Sequence, residues 1–290
     1  MESAVNDRGS GSGGTTPGRL FVVSTPIGHM GDFSFRGVEV LRSCTLVLAE
    51  DTRHSRHLLD RYEITTSMQP YHEHNEAKQT PRIVERLQAG EDIALVSDAG
   101  TPLVSDPGAR LVRAVIDAGL DVVPVPGASA TLAALVASGL PVEPFTFFGF
   151  LPRGGADRAQ RLVAVAQSPF TTVLYEAPGR VFDTLSAVAE RAGPHRPAVV
   201  ARELTKLHEE VKRGTLAELA AYYAETSPKG EVVIVIAGAP APVLDETAMR
   251  ERARELRAQG YSVRDTAAEL AREFDAARNL AYRVAQDASE

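Results

Sequence analysis

The chain of 290 residues is poor in cysteine, in lysine and in long apolar runs, and each shortage removes a class of function. Its one cysteine, Cys44, excludes an internal disulfide and any site built from several thiolates, so a reducing cytoplasm is the expected compartment. Cys44 sits in an apolar helix-to-strand region and reads as a small buried hydrophobe rather than a nucleophile. No apolar stretch exceeds strand length, which predicts no membrane span. Residues 1–18 are rich in Gly, Ser and Thr without an apolar core segment, so a disordered tail is expected there and no signal peptide. That tail carries Gly9-Ser-Gly11-Ser-Gly13, a superficial match to the glycine signature of dinucleotide and Rossmann methyltransferase sites. A true fingerprint follows a strand and opens a helix, whereas this one precedes the first strand. Only four of the 31 basic residues are lysine, leaving arginine, the better residue for forked phosphate contacts, as the main cation. A net charge of −7 argues against a generic polyanion binder, though nucleic acid needs only a local basic face.

What is present is an alternation of strand and helix from Arg19 onward. Strands are expected at Leu20–Thr25, Leu46–Glu50, Met68–Tyr71, Ile93–Ser97 and Val122–Val125, with helices between them, which predicts a mostly parallel sheet covered on both faces. Thr80-Pro81 reads as an N-cap and first-turn proline of a helix running to Gly90. The segment Gly139–Pro144 is the expected junction between an α/β domain over 19–140 and a second over 145–238. In the second, Ala198–Arg202 and Glu209–Arg213 lie too close for a helical crossover and are expected to pair antiparallel. Residues 245–290 read as a small helical, helix-turn-helix-like extension.

Four loops stand at strand carboxyl ends: Pro26–Gly28, Asp98–Gly108, Pro126–Ala130 and Tyr175–Pro178. In α/β proteins ligands bind at that end of the sheet, and a cleft lined by several such loops is the expected site. The Asp98 loop offers a carboxylate, the hydroxyls of Thr101 and Ser105, and glycines that admit close backbone approach.

The ordered set STPIG (24–28), AEDTRHS (49–55), HEHNE (72–76), SDAGTPLVSDPG (97–108), PGASA (126–130), GFLPR (149–153), YEAP (175–178), ARELTK (201–206) and KGE (229–231) resembles the ribosomal RNA small subunit methyltransferase I family, of the tetrapyrrole-methylase fold group. The resemblance spans about residues 19–238. It implies two α/β domains of the class III methyltransferase type, S-adenosylmethionine bound between them, and methyl transfer to a ribose 2′-oxygen of 16S rRNA, a cytidine in the decoding region. It further implies cofactor contacts at Pro26, Asp98, Gly100, Thr101, Val104, Ser129, Ala130, Glu176, Lys229, Gly230 and Glu231, and a homodimer acting on 16S rRNA or the 30S subunit. Within the same fold group a tetrapyrrole methylase is the alternative; a ribosome-binding module without catalysis is the third.

A ribose hydroxyl is a poor nucleophile that must be aligned and relieved of its proton. Glu176, Glu231, Asp51 and Lys206 are the candidate bases, unranked. Arg53, Arg153, Arg180 and Arg202 are candidate phosphate clamps, each equally compatible with a surface ion pair. His72-Glu73-His74-Asn75-Glu76 lacks the helical His-Glu-x-x-His spacing and reads as a hydrogen-bonded loop, with no metal expected. Thr52–His57 reads as a basic rim or a solvated helix start. In the extension, Leu256, Val263, Ala267, Leu270, Phe274, Leu280, Tyr282 and Val284 are expected to form a core. Arg264, Arg278 and Arg283 are expected on one face against rRNA phosphates, within a segment whose eight arginines face ten acidic residues.

Overall fold

The computed structural model describes residues 16–240 and 245–288. Residues 1–15, most of the expected disordered tail together with its Gly9–Gly13 match, lie outside the described residues. Up to Ala239 the chain forms one compact unit containing two five-stranded sheets.

The first sheet comprises β1 (Leu20–Val23), β2 (Leu46–Ala49), β3 (Met68–Pro70), β4 (Ile93–Val96) and β5 (Val122–Val125), all parallel, in the order β3-β2-β4-β1-β5. Strands covered on both faces must be apolar throughout, and β2 and β4 bury every residue. The two-residue period then sorts their side chains. Phe21, Val23, Val47, Ala49, Ala94 and Val96 pack beneath α1 (Phe35–Ser43) and α2 (Thr52–Arg61). Leu20, Leu46, Leu48, Ile93 and Leu95 pack beneath α3 (Glu76–Gln88) and α4 (Ala109–Asp117). Cys44 is buried at the end of α1, and burial pushes its thiol up to about 12, as suits a structural residue. The chain leaves β2 toward β3 at one edge and leaves β4 toward β5 at the other. The loops after β2 and β4 therefore part company and open a crevice at the strands' carboxyl ends.

The second sheet comprises β6 (Phe145–Phe150), β7 (Thr171–Glu176), β8 (Pro197–Arg202), β9 (Glu210–Thr215) and β10 (Val232–Ile236), ordered β6-β7-β10-β8-β9. Only β6 and β7 are parallel; β8 and β9 pair antiparallel, as their short connection requires. Helices α6 (Gly155–Gln167), α7 (Val181–Ala192) and α8 (Leu216–Glu225) cover one face through Leu162, Val165, Leu185 and Leu219.

One helix start differs from expectation. The helix expected to open at Thr80-Pro81 starts one turn earlier, at Glu76. Thr80 is not its cap: its hydroxyl donates to the Glu76 carbonyl (2.8 Å) and meets the buried Tyr71 hydroxyl (2.9 Å). The junction expected at Gly139–Pro144 falls between the strands of the two sheets, but the packing crosses it. Helix α5 (Ala130–Ser138), on the amino-terminal side of that boundary, buries Ala134 and Leu135 against Val173, Val199 and Val235 of the second sheet.

The second compact unit begins at Pro240. Its helices α9 (Glu246–Ala258), α10 (Val263–Glu273) and α11 (Arg278–Asp287) enclose Met249, Ala253, Leu256, Leu270, Ala281 and Val284. Asp245 and Ser262 cap α9 and α10 through side-chain bonds to backbone N–H groups. Tyr282, expected in this core, is 51% exposed. Among the described residues no helix is long and apolar enough to cross a membrane.

Candidate active site at the carboxyl ends of the first sheet

The loop after β4 is stitched to its neighbours by short polar contacts. Thr25 and Gly100 exchange backbone bonds, N–H to carbonyl, at 2.8 and 3.1 Å. Gly100 holds φ +85°, a conformation that glycine alone adopts at little cost. The Thr25 hydroxyl donates to the Ser97 carbonyl (3.1 Å), the Ser24 hydroxyl to Thr101 (3.2 Å), and the Thr101 hydroxyl to the Ala128 carbonyl (3.2 Å). Three of the four strand-end loops are thereby locked together. Within this frame Leu103 and Ser105 also take positive φ, +71° and +70°, a strain of roughly 1–3 kcal/mol each. Such strain persists only where surrounding contacts over-determine the backbone.

The β8–β9 connection closes the site from the other side. A side chain at Gly28 would strike Lys206 and Thr205, and the backbone N–H of His29 donates to the Thr205 hydroxyl at 3.0 Å. A side chain at Gly230 would lie 2.1 Å from the Glu203 carboxylate, which accepts the backbone N–H of Glu231 (3.0 Å). Lys206 donates to Glu203 at 3.0 Å and lies 3.4 Å from Glu231. The glycines of STPIG and KGE are thus explained by close packing against the ARELTK segment.

Two cavities result. The larger, about 450 Å³, is lined by the Asp98 loop, the start of α5 at Ser129 and Ala130, Tyr175–Pro178, and Gly230–Val233. It is of a size typical of small-molecule sites. The smaller, about 330 Å³, is lined by Pro26, Gly28, His54, His57 and Lys206 among others. Ile27, Asp98, Ala99 and Glu231 line both, so these four residues form the wall they share. Every residue expected to contact cofactor lines the larger cavity except Pro26, which lines the smaller, and Lys229, which lines neither.

The larger cavity is acidic. Glu50, Asp98 and Asp106 all line it, and Asp98 is held by the backbone N–H of Asp51 at 3.1 Å. Burial, then the Glu50 charge, pushes Asp106 up to about 6; burial, then the Asp98 charge, raises Glu50. A carboxylate whose folded pKa is raised leaves the protein most stable at low pH. The cost of ionising it appears as pH climbs from 3.8 to about 6. Asp106→Asn is therefore expected to stabilise the free protein by about 1 kcal/mol at pH 7.5, allowing for solvent screening. The gain should vanish below pH 4. Urea unfolding at the two pH values measures it, and an equal effect at both would place the cause elsewhere. Neither Glu50 nor Asp106 was singled out from the sequence, although both lie inside quoted motifs. Their signal is the placement of Glu50 directly after β2 and of Asp106 within the loop after β4, strands that are neighbours in the sheet.

The four candidate bases separate clearly. Glu176 is spent on structure: its side chain is fully buried, accepting from the Thr184 hydroxyl (2.6 Å) and the Ala177 backbone (2.9 Å), with Arg180 at 3.4 Å. Asp51 caps α2, accepting from the Arg53 backbone and guanidinium, and those bonds hold its carboxyl well below the usual range. Lys206 loses some basicity to burial, but Glu203 and Glu231 outweigh that and raise its pKa, keeping it a cation. Glu231 is different: its side chain is 66% exposed, at the wall between the cavities.

The arginines divide similarly. Arg180 donates to the Leu151 and Pro152 carbonyls and Arg202 to Glu210 (2.6 Å), both partly buried. Arg53 is exposed, although paired with Asp51. Arg153 is exposed on a groove beside Phe150 and Pro152. HEHNE forms a turn, in which the Asn75 side chain accepts from the His72 backbone and donates to the Pro70 carbonyl, both at 3.0 Å. Among the described residues no cluster of three or more His, Cys, Asp or Glu is arranged to hold a metal.

Residues 19–220 match the family described as Tetrapyrrole (Corrin/Porphyrin) Methylases. A protein of Synechocystis sp. named ribosomal RNA small subunit methyltransferase I is 45% identical over 92% of this chain and 97% of its own length. Proteins of the same name in Pseudomonas aeruginosa and Bacillus subtilis are 48% and 44% identical, over 82% and 81% of this chain and 86% and 80% of theirs. Among solved structures, the uroporphyrin-III C-methyl transferase of Thermus thermophilus complexed with S-adenyl homocysteine aligns at TM-score 0.54 and 21% identity, covering 75% of this chain and 97% of that one. The methyltransferase CobJ aligns at TM-score 0.58 and 19% identity, covering 77% and 95%.

Proposed function

The chain belongs to the ribosomal RNA small subunit methyltransferase I family of tetrapyrrole-type methylases, and from that premise we propose that it methylates the 2′-oxygen of a cytidine ribose in the decoding region of 16S rRNA. The methyl donor is S-adenosylmethionine. The larger cavity suits it on chemical grounds. Glu50, Asp98 and Asp106 offer negative charge to a cationic sulfonium and ammonium, while Ile27, Val104 and Tyr175 offer apolar surface. Gly100 lines the cavity, and a side chain there would crowd Ile27 at 3.3 Å. When bound, the sulfonium supplies an electrophilic methyl group for in-line displacement.

The observation that carries the reading is the shared wall. A donor in one cavity and a ribose entering the other would meet across Asp98 and Glu231. There the Glu231 carboxylate can take the hydroxyl proton, and Lys206, held as a cation, can stabilise a nearby phosphate or the developing oxyanion. Arg53 and Arg153, both exposed, remain the candidates for positioning the RNA backbone. Leu132 and Val136, exposed on α5, favour a homodimer by giving a second copy an apolar face. A cytoplasmic location follows from an rRNA substrate.

The test is transfer of labelled methyl groups to 30S particles, naked 16S rRNA and a uroporphyrinogen. Label is expected on 16S rRNA at one ribose, as a dinucleotide that resists alkali because its 2′-oxygen is blocked. Label on a base, on the tetrapyrrole, or on nothing would overturn the reading.

A further inference from the structure

The second compact unit has a groove that its own fold does not explain. It measures about 620 Å³ and is lined along α10 by Arg264, Ala267, Ala268, Ala271 and Arg272, and across from them by Ala276, Arg278 and Tyr282. Small alanines form the floor, and three arginines with one exposed tyrosine form the rim. Elsewhere in the unit Arg250 pairs with Glu246 and Arg252 with Glu255 and Glu273, whereas Arg254 and Arg283 make no ion pair among the described residues. Arg272 pairs with Glu269. The side chains of Arg264 and Arg278 make no ion pair or hydrogen bond among the described residues.

What distinguishes Arg264 and Arg278 is that both line the groove and both stand at helix starts. Arg264 is the second residue of α10 and Arg278 the first of α11. Helix N-termini carry partial positive charge, so a cation there is mildly unfavourable for the helix itself. Phosphates lying along the groove would each meet a guanidinium group and be favoured by the adjacent helix end. Tyr282 lies one turn beyond Arg278 with its ring half in solvent, available for a planar group to stack on. Phosphates beside an exposed aromatic ring are the pattern by which proteins hold single-stranded nucleic acid. An acidic peptide would use the arginines but leave the tyrosine idle. Arg283, expected on the same face, is not among the groove's lining residues.

We propose that this groove binds a single-stranded RNA segment, with Arg264 and Arg278 on successive phosphates and a base stacked on Tyr282. The proposal concerns a site separate from the methyl-transfer cavities and rests on the reading above only for the choice of RNA. The full chain and its variants are titrated with a fluorescent single-stranded RNA oligonucleotide over a range of salt. Arg264→Ala with Arg278→Ala is expected to weaken binding about tenfold or more. It should also reduce the slope of log affinity against log salt by roughly 1.4, the value for two lost phosphate contacts. Tyr282→Ala should weaken binding several-fold with the slope unchanged, and Arg250→Ala should change neither. S-adenosylmethionine affinity, measured by calorimetry, should be the same in all variants.

Unchanged RNA affinity and slope in the double-arginine variant would overturn the proposal. So would a poly-glutamate peptide that binds through these arginines while RNA does not. The outcomes separate from those of the methyl-transfer reading. A chain that methylates 16S rRNA but is indifferent to the groove substitutions defeats only the groove. One that binds RNA through the groove but transfers no methyl group to RNA defeats only the reading.

Discussion

Replacing Gly100 by valine is expected to abolish S-adenosylmethionine binding, a loss of more than about 100-fold in affinity, while the chain stays folded. Two effects contribute and have different readouts. The first is backbone strain: Gly100 sits at φ +85°, where a β-branched residue is costly by roughly 2 kcal/mol or somewhat more. That is a fraction of the 5–15 kcal/mol typical of a domain's stability, so the unfolding midpoint should fall without loss of the fold. The second is occlusion. The added Cβ would stand 3.3 Å from the Ile27 methyl and 3.6 Å from the Ala128 carbonyl, so the two further methyls have little room except toward the cavity Gly100 lines. Gly100→Ala separates the two effects, since it carries the same sign of strain with only one methyl. Alanine should destabilise nearly as much as valine yet retain measurable cofactor binding. Calorimetric affinity unchanged in the valine variant would remove this loop from the binding site.

The sheets were legible from sequence because their signal is local. Runs such as Leu46–Ala49 and Ile93–Val96 are apolar at every position and bounded by polar or charged residues, and the structure places them as fully buried strands. The start of α3 was misplaced because a threonine before a proline is a strong cap signature. Here, however, the tertiary partner Tyr71 takes the Thr80 hydroxyl and the helix tolerates Pro81 near its start. Which sheet α5 serves is likewise decided by tertiary packing. Its exposed Leu132 and Val136 and its buried Ala134 and Leu135 are equally apolar, so pattern alone cannot say which sheet it serves.

The site shows the same division. Which loops converge could be read from strand ends, since a strand's carboxyl end is fixed once the strand is known. What each side chain does there could not. Glu176 and Glu231 are both acids at strand boundaries, yet one is sealed beneath Thr184 and the other projects between two cavities. Arg153 closes the GFLPR motif and Arg180 lies two residues past YEAP, yet only Arg180 is consumed by the Leu151 and Pro152 carbonyls. The Arg180 contacts join residues 29 and 28 positions apart, and the Glu176 contact reaches from a strand end into the following helix, so neither is written in a local pattern. The same holds for Asp106, whose raised pKa is set chiefly by its own burial and by Glu50, an acid on another strand's loop.

Substituting Glu231 by glutamine is the second change expected to have a large effect, lowering the methyl-transfer rate by about 10²–10³-fold while cofactor affinity stays within about threefold. Of the four acids and bases singled out, it alone has its side chain both exposed and at the boundary between the cavities. The substitution is close to isosteric. The backbone of residue 231 is fixed independently, donating to the Glu203 carboxylate and accepting from the Glu203 N–H, each at 3.0 Å. Lys206 also keeps Glu203 as its partner at 3.0 Å, so the cation should not swing away. What glutamine cannot do is accept the ribose proton. If that is the lost step, the residual rate should climb with pH, because hydroxide or a solvent-exposed base must replace the missing carboxylate. A merely structural role would lower the rate by a similar factor at every pH and would show in the unfolding midpoint. Asp98→Asn is the informative comparison, since Asp98 shares the wall but also belongs to the acidic lining of the larger cavity. That variant should lose cofactor affinity first. If Glu231→Gln keeps its full rate on 30S particles, proton removal at this wall is excluded, and simple alignment of the ribose must carry the reaction.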